Sequence, residues 1–313
     1  MRLLRRRTST SSPPSASSAL RSDVGVIPGA LGRLGSAPGT VNRNLGSDER
    51  MYFGTTTMVF YSKPLEEAIA AISRCGYDYA ELWMDQVWRE FPERPADSVR
   101  AILDRHGMKA TVHCPIMDVN IASPNIGIRN ESIRQLLDCI EFAQRISARL
   151  VVVHPGRRFS LKEPIEAHWQ TQVEALRCAF DKGASLGVTL ALENMEIDKE
   201  IASVRDYPDM LRVIDDCGAP DLKITLDTAH MRDTQAILRF IEKLGPRIAH
   251  VHVSDATDKA LHLRIGRGTL DLPQIARALE GQQFAGVYSL ETYIPGDEEA
   301  LAEERHKLAG LFA

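Results

Sequence analysis

The stretch VTLALENMEIDKEIASVRDYPDMLRVIDDCGAPDLKITLDTAH (188–230) carries the alternation on which the fold depends. An aliphatic run, Val188–Glu193, ends on a carboxylate. Leu211 and Ile214 then fall three residues apart, the spacing of one helical face. A second short apolar run, Lys223–Asp227, again ends on a carboxylate. Short buried strands joined by an amphipathic helix are the pattern of a βαβ unit, whose strands lie parallel.

The same rhythm continues in both directions. Strands are expected upstream at Tyr52–Val59, Tyr79–Trp83, Lys109–His113 and Leu150–His154, and downstream at Ile248–Val253 and Val287–Glu291. Helical spacing joins Leu65, Ile69 and Ile72; Ile133, Leu136, Leu137 and Ile140; Val173, Leu176 and Phe180; and Ile237, Phe240, Ile241 and Leu244. Leu186-Gly187 and Leu244-Gly245 read as helix stops. Eight strands in about 260 residues predict a single α/β (β/α)8 TIM barrel over residues 51–313. An open doubly wound sheet would carry a G-x-G-x-x-G turn after its first strand. The G-x-G at Gly266 and Gly268 follows the seventh strand instead and is too isolated for that fingerprint.

Composition fits one large soluble core. Of 313 residues, 44% are hydrophobic and 26% charged, which excludes collagen-like and disordered classes for the chain as a whole. No run approaches the roughly 18 apolar residues of a membrane span. Cys75, Cys114, Cys139, Cys178 and Cys217 are scattered and odd in number, so a reducing, cytoplasmic setting is expected. Residues 1–50 differ from the rest: nine Ser, eight Arg and three acids, with no periodicity. They are expected to form a disordered extension, either an organelle-targeting segment or residues preceding a true start at Met51. Their charge of +5 leaves a net −9 on residues 51–313. An acidic body repels the phosphate backbone, so nucleic acid is not an expected partner.

Polar residues gather where the strands end. His113, His154, Glu193, Asp227 and Glu291 end the third, fourth, fifth, sixth and eighth strands. His252 stands one residue before the end of the seventh. His230 and His262 follow closely. In a barrel these ends share one face, the face that carries chemistry. Clustered carboxylates repel one another, and a divalent cation offsets that repulsion. Mixed imidazole and carboxylate donors suit transition metals better than calcium. Glu193, Asp227, His252 and Glu291 are the core candidates for holding a divalent ion (manganese, zinc, magnesium or cobalt). Trp83 is a candidate wall for a sugar ring. Arg157 and Arg158 are candidates for holding a substrate phosphate.

The segments HCPIMDVNIASPN (113–125), VVVHPG (151–156), LALEN (190–194), LDTAH (226–230), HVSD (252–255), HLRIGRG (262–268) and SLET (289–292) resemble the xylose-isomerase-like barrel superfamily. That superfamily includes sugar and sugar-phosphate isomerases and epimerases, inosose dehydratases and endonuclease IV, which cleaves DNA at abasic sites. The resemblance implies that Glu193, Asp227, His252 and Glu291 hold the ion shared by the metal-dependent isomerases and epimerases. By likeness to endonuclease IV, His113, His154 and Glu193 would hold one zinc, with Glu193 bridging to the next. His230 and His262 would serve a third, but Ala260 stands where that family has an Asp.

The leading expectation is a metal-dependent sugar or sugar-phosphate isomerase or epimerase. It would work through an ene-diolate, with Glu193 and Glu291 moving a proton next to a carbonyl. An endonuclease IV type of abasic-site hydrolase is the first alternative, and a sugar-binding barrel without catalysis the second. A small sugar is the expected partner, no membrane is expected, and a homo-oligomer is left open.

Overall fold

The computed structural model describes residues 51–93 and 95–312. The 1–50 extension and its reading lie outside the described residues.

Eight parallel strands pair in sequence order and close on themselves: β1 (Tyr52–Thr56), β2 (Tyr79–Trp83), β3 (Lys109–His113), β4 (Leu150–Val153), β5 (Thr189–Glu193), β6 (Lys223–Asp227), β7 (Ile248–Val253) and β8 (Val287–Leu290). The barrel shuts where Phe53 of β1 registers with Tyr288 of β8. The helices are α1 (Leu65–Arg74), α2 (Met84–Glu90), α3 (Ala96–Arg105), α4 (Ile126–Arg145), α5 (Ile165–Leu186), α6 (Tyr207–Cys217), α7 (Thr228–Met231), α8 (Thr234–Leu244), α9 (Leu272–Gly281) and α10 (Glu298–Gly310), of which α7 is a single buried turn directly after β6. The single (β/α)8 barrel expected from the alternation is the fold observed.

Local chemistry sets the boundaries. The side chains of Asn125, Asp206, Asp233, Asp271 and Asp297 accept backbone N–H groups at the starts of α4, α6, α8, α9 and α10. These caps satisfy donors that a helix leaves unpaired. Gly187 closes α5 in the left-handed conformation, φ 67°, as expected of a helix stop. Gly245 also ends α8, as expected, but without the left-handed turn: at φ −45° it carries the chain into a short 3-10 turn, Gly245–Arg247. The first strand also ends earlier than expected. The hydroxyl of Thr56 accepts the N–H of Met58 at 3.2 Å and starts the 3-10 turn Thr57–Phe60. Leu211 is exposed, because α6 buries Met210, Val213, Ile214 and Cys217, a face turned one residue away.

Apolar side chains such as Leu65, Ile69, Leu176, Ile214 and Phe240 fill the shell between helices and strands. Several buried positions on the strands are polar instead: Thr55, Glu81, Thr111, Thr225, His250 and Ser289. Polar groups so deep need partners, and most have one: Thr55 donates to the Leu290 carbonyl, Thr225 to the Ala191 carbonyl and Thr111 to Glu81, which also pairs with His250, while the Ser289 hydroxyl has no hydrogen bond.

Candidate metal centre

Parallel pairing brings the strand ends together. Asp227 registers with His252, and His252 with Ser289, so neighbouring strands deliver their polar residues at one level. Glu193, Asp227, His252 and Glu291 each offer a donor atom, and those atoms lie within 4.8 Å of one another. His252 Nδ1 stands at the hub, 2.8 Å from Glu291 Oε2, 3.0 Å from Glu193 Oε1 and 3.8 Å from Asp227 Oδ2.

Glu193 faces two ways. Its Oε1 meets His252, while its Oε2 lies 2.9 Å from His154 Nε2 and 3.5 Å from His113 Nε2. His113, His154 and Glu193 thus form a second donor group, and Asp227, His230 and His262 a third. All eight sequence candidates for metal binding therefore converge on one mouth. It opens as a cavity of about 230 Å³ whose walls include His113, His154, Glu193, His230, His262, Glu291 and Trp83.

Backbone carbonyls aim several of these rings. The His113 Nδ1 pairs with the carbonyl of Cys114 at 2.9 Å, which leaves Nε2 toward Glu193. The His230 Nδ1 pairs with the carbonyl of Asn194 at 2.7 Å. Such fixing of one ring nitrogen determines which nitrogen is offered to a ligand.

The electrostatics describe a site built around positive charge. Burial pushes the Asp227 carboxyl up to about 6, with Glu291 and Glu193 adding repulsion against attraction from His230 and His262. Burial would raise Glu193 and Glu291 as well, but the surrounding imidazoles together outweigh it, His252 with His154 and His113 at Glu193 and His252 with His262 at Glu291, and hold both below the ordinary carboxylate range. Burial opposes a charge on His252, yet Glu291, Glu81 and Glu193 together hold it well above the usual imidazole value. His113 and His230 are each raised to about 9: burial opposes their charge, but carboxylates together outweigh it, Glu193 with Glu81 and Glu291 at His113, and Asp227 with Glu193 and Glu291 at His230.

Those protons balance the carboxylates only in part. Glu193 Oε2, Asp227 Oδ2 and Glu291 Oε2 are buried without a hydrogen bond. Orphaned carboxylate oxygens beside an imidazole nitrogen are the donor set of a divalent transition ion, so the residues fit such an ion.

The remaining candidates divide. Trp83 walls the mouth, its ring 5.0 Å from that of Tyr61. Arg157 is exposed and lines an adjoining cavity that shares Ile116, His154, Met195 and Glu196 with the first. Arg158 is not brought to the site: its guanidinium donates to the carbonyl of Glu200 and its backbone N–H to that of Ile201. The Gly266/Gly268 loop also has a structural use. The carboxylate of Asp255 accepts the N–H groups of Ala256, Gly266, Gly268 and Leu270 at 2.8–3.1 Å. A Cβ on Gly268 would come within 2.2 Å of that carboxylate. Asp255 is thereby committed to the loop and cannot replace the ligand missing at Ala260.

Sequence reasoning passed over Glu81, His250 and Asn194. Glu81 accepts from His252 Nε2 at 2.9 Å and from His250 Nε2 at 2.5 Å. The available signals were a carboxylate inside the apolar run YAELW (79–83) and a histidine two residues before His252, on the same strand face.

The xylose isomerase-like TIM barrel family model matches residues 69–309. The chain belongs to this family. An uncharacterized protein of Methanocaldococcus jannaschii is 28% identical over 77% of this chain and 83% of its own length. The 2-oxo-tetronate isomerase of Haemophilus influenzae is 26% identical over 65% of this chain and 79% of its own. Among solved structures, a D-tagatose 3-epimerase-like protein superposes with a TM-score of 0.74 at 24% identity, covering 84% of this chain and 97% of that one. Family membership and the barrel agree with the resemblance carried by the motifs.

Proposed function

We propose that this chain is a metal-dependent isomerase or epimerase of a sugar or sugar phosphate. The observation that carries the reading is the convergence of Glu193, from β5, and Glu291, from just beyond β8, on His252 Nδ1, at 3.0 and 2.8 Å. Glu193, Asp227, His252 and Glu291 would hold the divalent ion, which when bound supplies polarisation of a sugar carbonyl and its neighbouring hydroxyl. Polarisation of that kind acidifies the adjacent carbon, and two carboxylates on different strands can then take and return its proton. In this reading Glu193 works from the end of β5 and Glu291 from just beyond β8. Trp83 offers an apolar face to the sugar ring. Arg157, exposed and outside the donor groups, lines the adjoining cavity, and in this reading it meets a substrate phosphate there. The names of the Haemophilus isomerase and of the epimerase-like structure support the same reaction class.

The test is a panel of ketoses, aldoses and their phosphates, run with manganese-, cobalt-, zinc- or magnesium-loaded protein in deuterated water. The expected result is turnover with deuterium entering at the carbon beside the carbonyl. An abasic-site duplex belongs in the same experiment. Nicking of that duplex without turnover of any sugar would replace this reading with the hydrolase alternative. Asp255, bound into its own loop, argues against that outcome, because the third donor group gains no further carboxylate from it.

A further inference from the structure

The strands of a barrel point alternate side chains inward, so a charged group in mid-strand meets side chains from across the barrel. Glu81 is such a group. It lies on β2, is 1% exposed, and reaches through the interior to β7. One oxygen meets His252 Nε2 at 2.9 Å and the other His250 Nε2 at 2.5 Å, while Thr111 Oγ1 donates to it at 3.4 Å. No other titratable side chain is hydrogen-bonded to the Glu81 carboxylate among the described residues.

His252 has only two ring nitrogens, and both are accounted for. Nδ1 faces Glu193, Asp227 and Glu291; Nε2 faces Glu81. A neutral imidazole carries one proton, on one nitrogen or the other. If that proton sits on Nδ1, the lone pair is on Nε2, facing Glu81, and none points toward Glu193, Asp227 and Glu291. A carboxylate at Nε2 accepts the proton there and frees Nδ1. It also places negative charge behind the ring, which makes Nδ1 a better donor. His250 completes the arrangement. Its Nε2–H occupies the second oxygen of Glu81, and its Nδ1 is buried without a partner, so that ring too is held with its proton toward Glu81.

We propose that Glu81 is a positioning residue for the metal centre: it holds His252 in the tautomer that offers Nδ1, with His250 bracing the carboxylate from its other side. The proposal rests on the reading of Glu193, Asp227, His252 and Glu291 as metal ligands. Glu81 itself does not touch the ion or the substrate. Gln at this position keeps the shape but presents an N–H₂ to one of the two imidazole N–H groups, so one ring must turn its proton around.

The experiment compares wild type, Glu81→Gln and His250→Phe as full chains. Manganese affinity is measured by titration, and the cobalt-loaded proteins are compared by visible absorption. Circular dichroism and urea denaturation report the fold. Glu81→Gln is expected to bind manganese about 10–100-fold more weakly and to shift the cobalt bands while remaining folded. His250→Phe, which leaves the Glu81–His252 pair, is expected to lose less affinity. A folded Glu81→Gln with wild-type affinity and an unchanged cobalt spectrum overturns the proposal and leaves the metal reading intact. Wild type that binds neither ion overturns the metal reading, and the proposal with it. Should Glu81→Gln fail to fold, nitrogen-detected NMR of zinc-loaded wild type decides. The expected His252 signal is Nε2–H with no proton on Nδ1; a proton on Nδ1 overturns the proposal.

Discussion

Asn194 grips the backbone of Asp227 from both sides. Its Oδ1 accepts the Asp227 N–H at 2.9 Å and its Nδ2 donates to the Asp227 carbonyl at 3.1 Å. The residue after one ligand thus fixes the main chain of the next. Asn194→Ala leaves both backbone groups buried without that side chain, at a cost of about 1–3 kcal/mol. Urea denaturation should show that loss. Metal titration should show weaker binding as well, because the Asp227 carboxylate is no longer held. Unchanged values in both measurements would refute the role given to Asn194.

Glu291→Gln tests the proton transfer. The amide removes a base and a negative ligand but keeps the shape. Exchange of the substrate proton with solvent deuterium is expected to fall by about 10²–10⁴-fold. Circular dichroism should be unchanged. Residual exchange near the wild-type rate would assign the chemistry to other groups.

Metal binding should strengthen as pH rises. Burial pushes Asp227 up to about 6, so the proton leaves its carboxyl only as pH climbs through that value. His252 is held well above its usual range and keeps its proton at neutral pH until an ion displaces it. Both groups must lose protons to become ligands, so both act in the same direction. The affinity should rise by on the order of tenfold per pH unit for each proton released: two protons below about pH 6, where Asp227 and His252 both carry one, and the His252 proton alone from there to neutral pH. Calorimetry in buffers of different ionisation heat reads that release directly. Binding heats that do not depend on the buffer would contradict it.

Gly156 tests the shape of the mouth. A Cβ there would stand 2.3 Å from Ala122 Cβ and 3.1 Å from the Ala122 backbone nitrogen. Gly156→Ala should therefore push apart the loops after β3 and β4, with an overpacking cost of about 1–3 kcal/mol. Ala122→Gly in the same chain should restore part of it, since the Cβ clash disappears and the backbone approach stays. A single variant as stable as wild type in thermal unfolding would show that the loops yield freely.

The barrel was legible because all eight strands showed as short apolar runs and five of them announced themselves again by the amphipathic spacing that followed. The donor groups were legible for a related reason. His113, His154, Glu193, Asp227, His252 and Glu291 lie at or near strand ends, and parallel topology alone sends those ends to one face. Glu81 and His250 sit one layer lower. Their meeting depends on which side chains of β2 and β7 point inward at the same height, and sequence spacing does not convey that. Arg158 misled because a cation beside a phosphate and a cation beside a backbone carbonyl look alike in sequence. Leu211 misled because a three-residue spacing fits two adjacent helical faces, and packing chose the other one.

The loop after β7 carries its own anion. Converging backbone N–H groups attract phosphate from solution, yet here the Asp255 carboxylate already occupies them. Backbone hydrogen bonds in both directions between Asp255 and Leu263 tie down the segment that presents His262, whose own carbonyl accepts the N–H of Tyr293 at 3.0 Å. His262 is thus set in place when the chain folds rather than when a ligand arrives. This side of the mouth meets its substrate with little reorganisation energy left to spend, and its dipoles are already aimed.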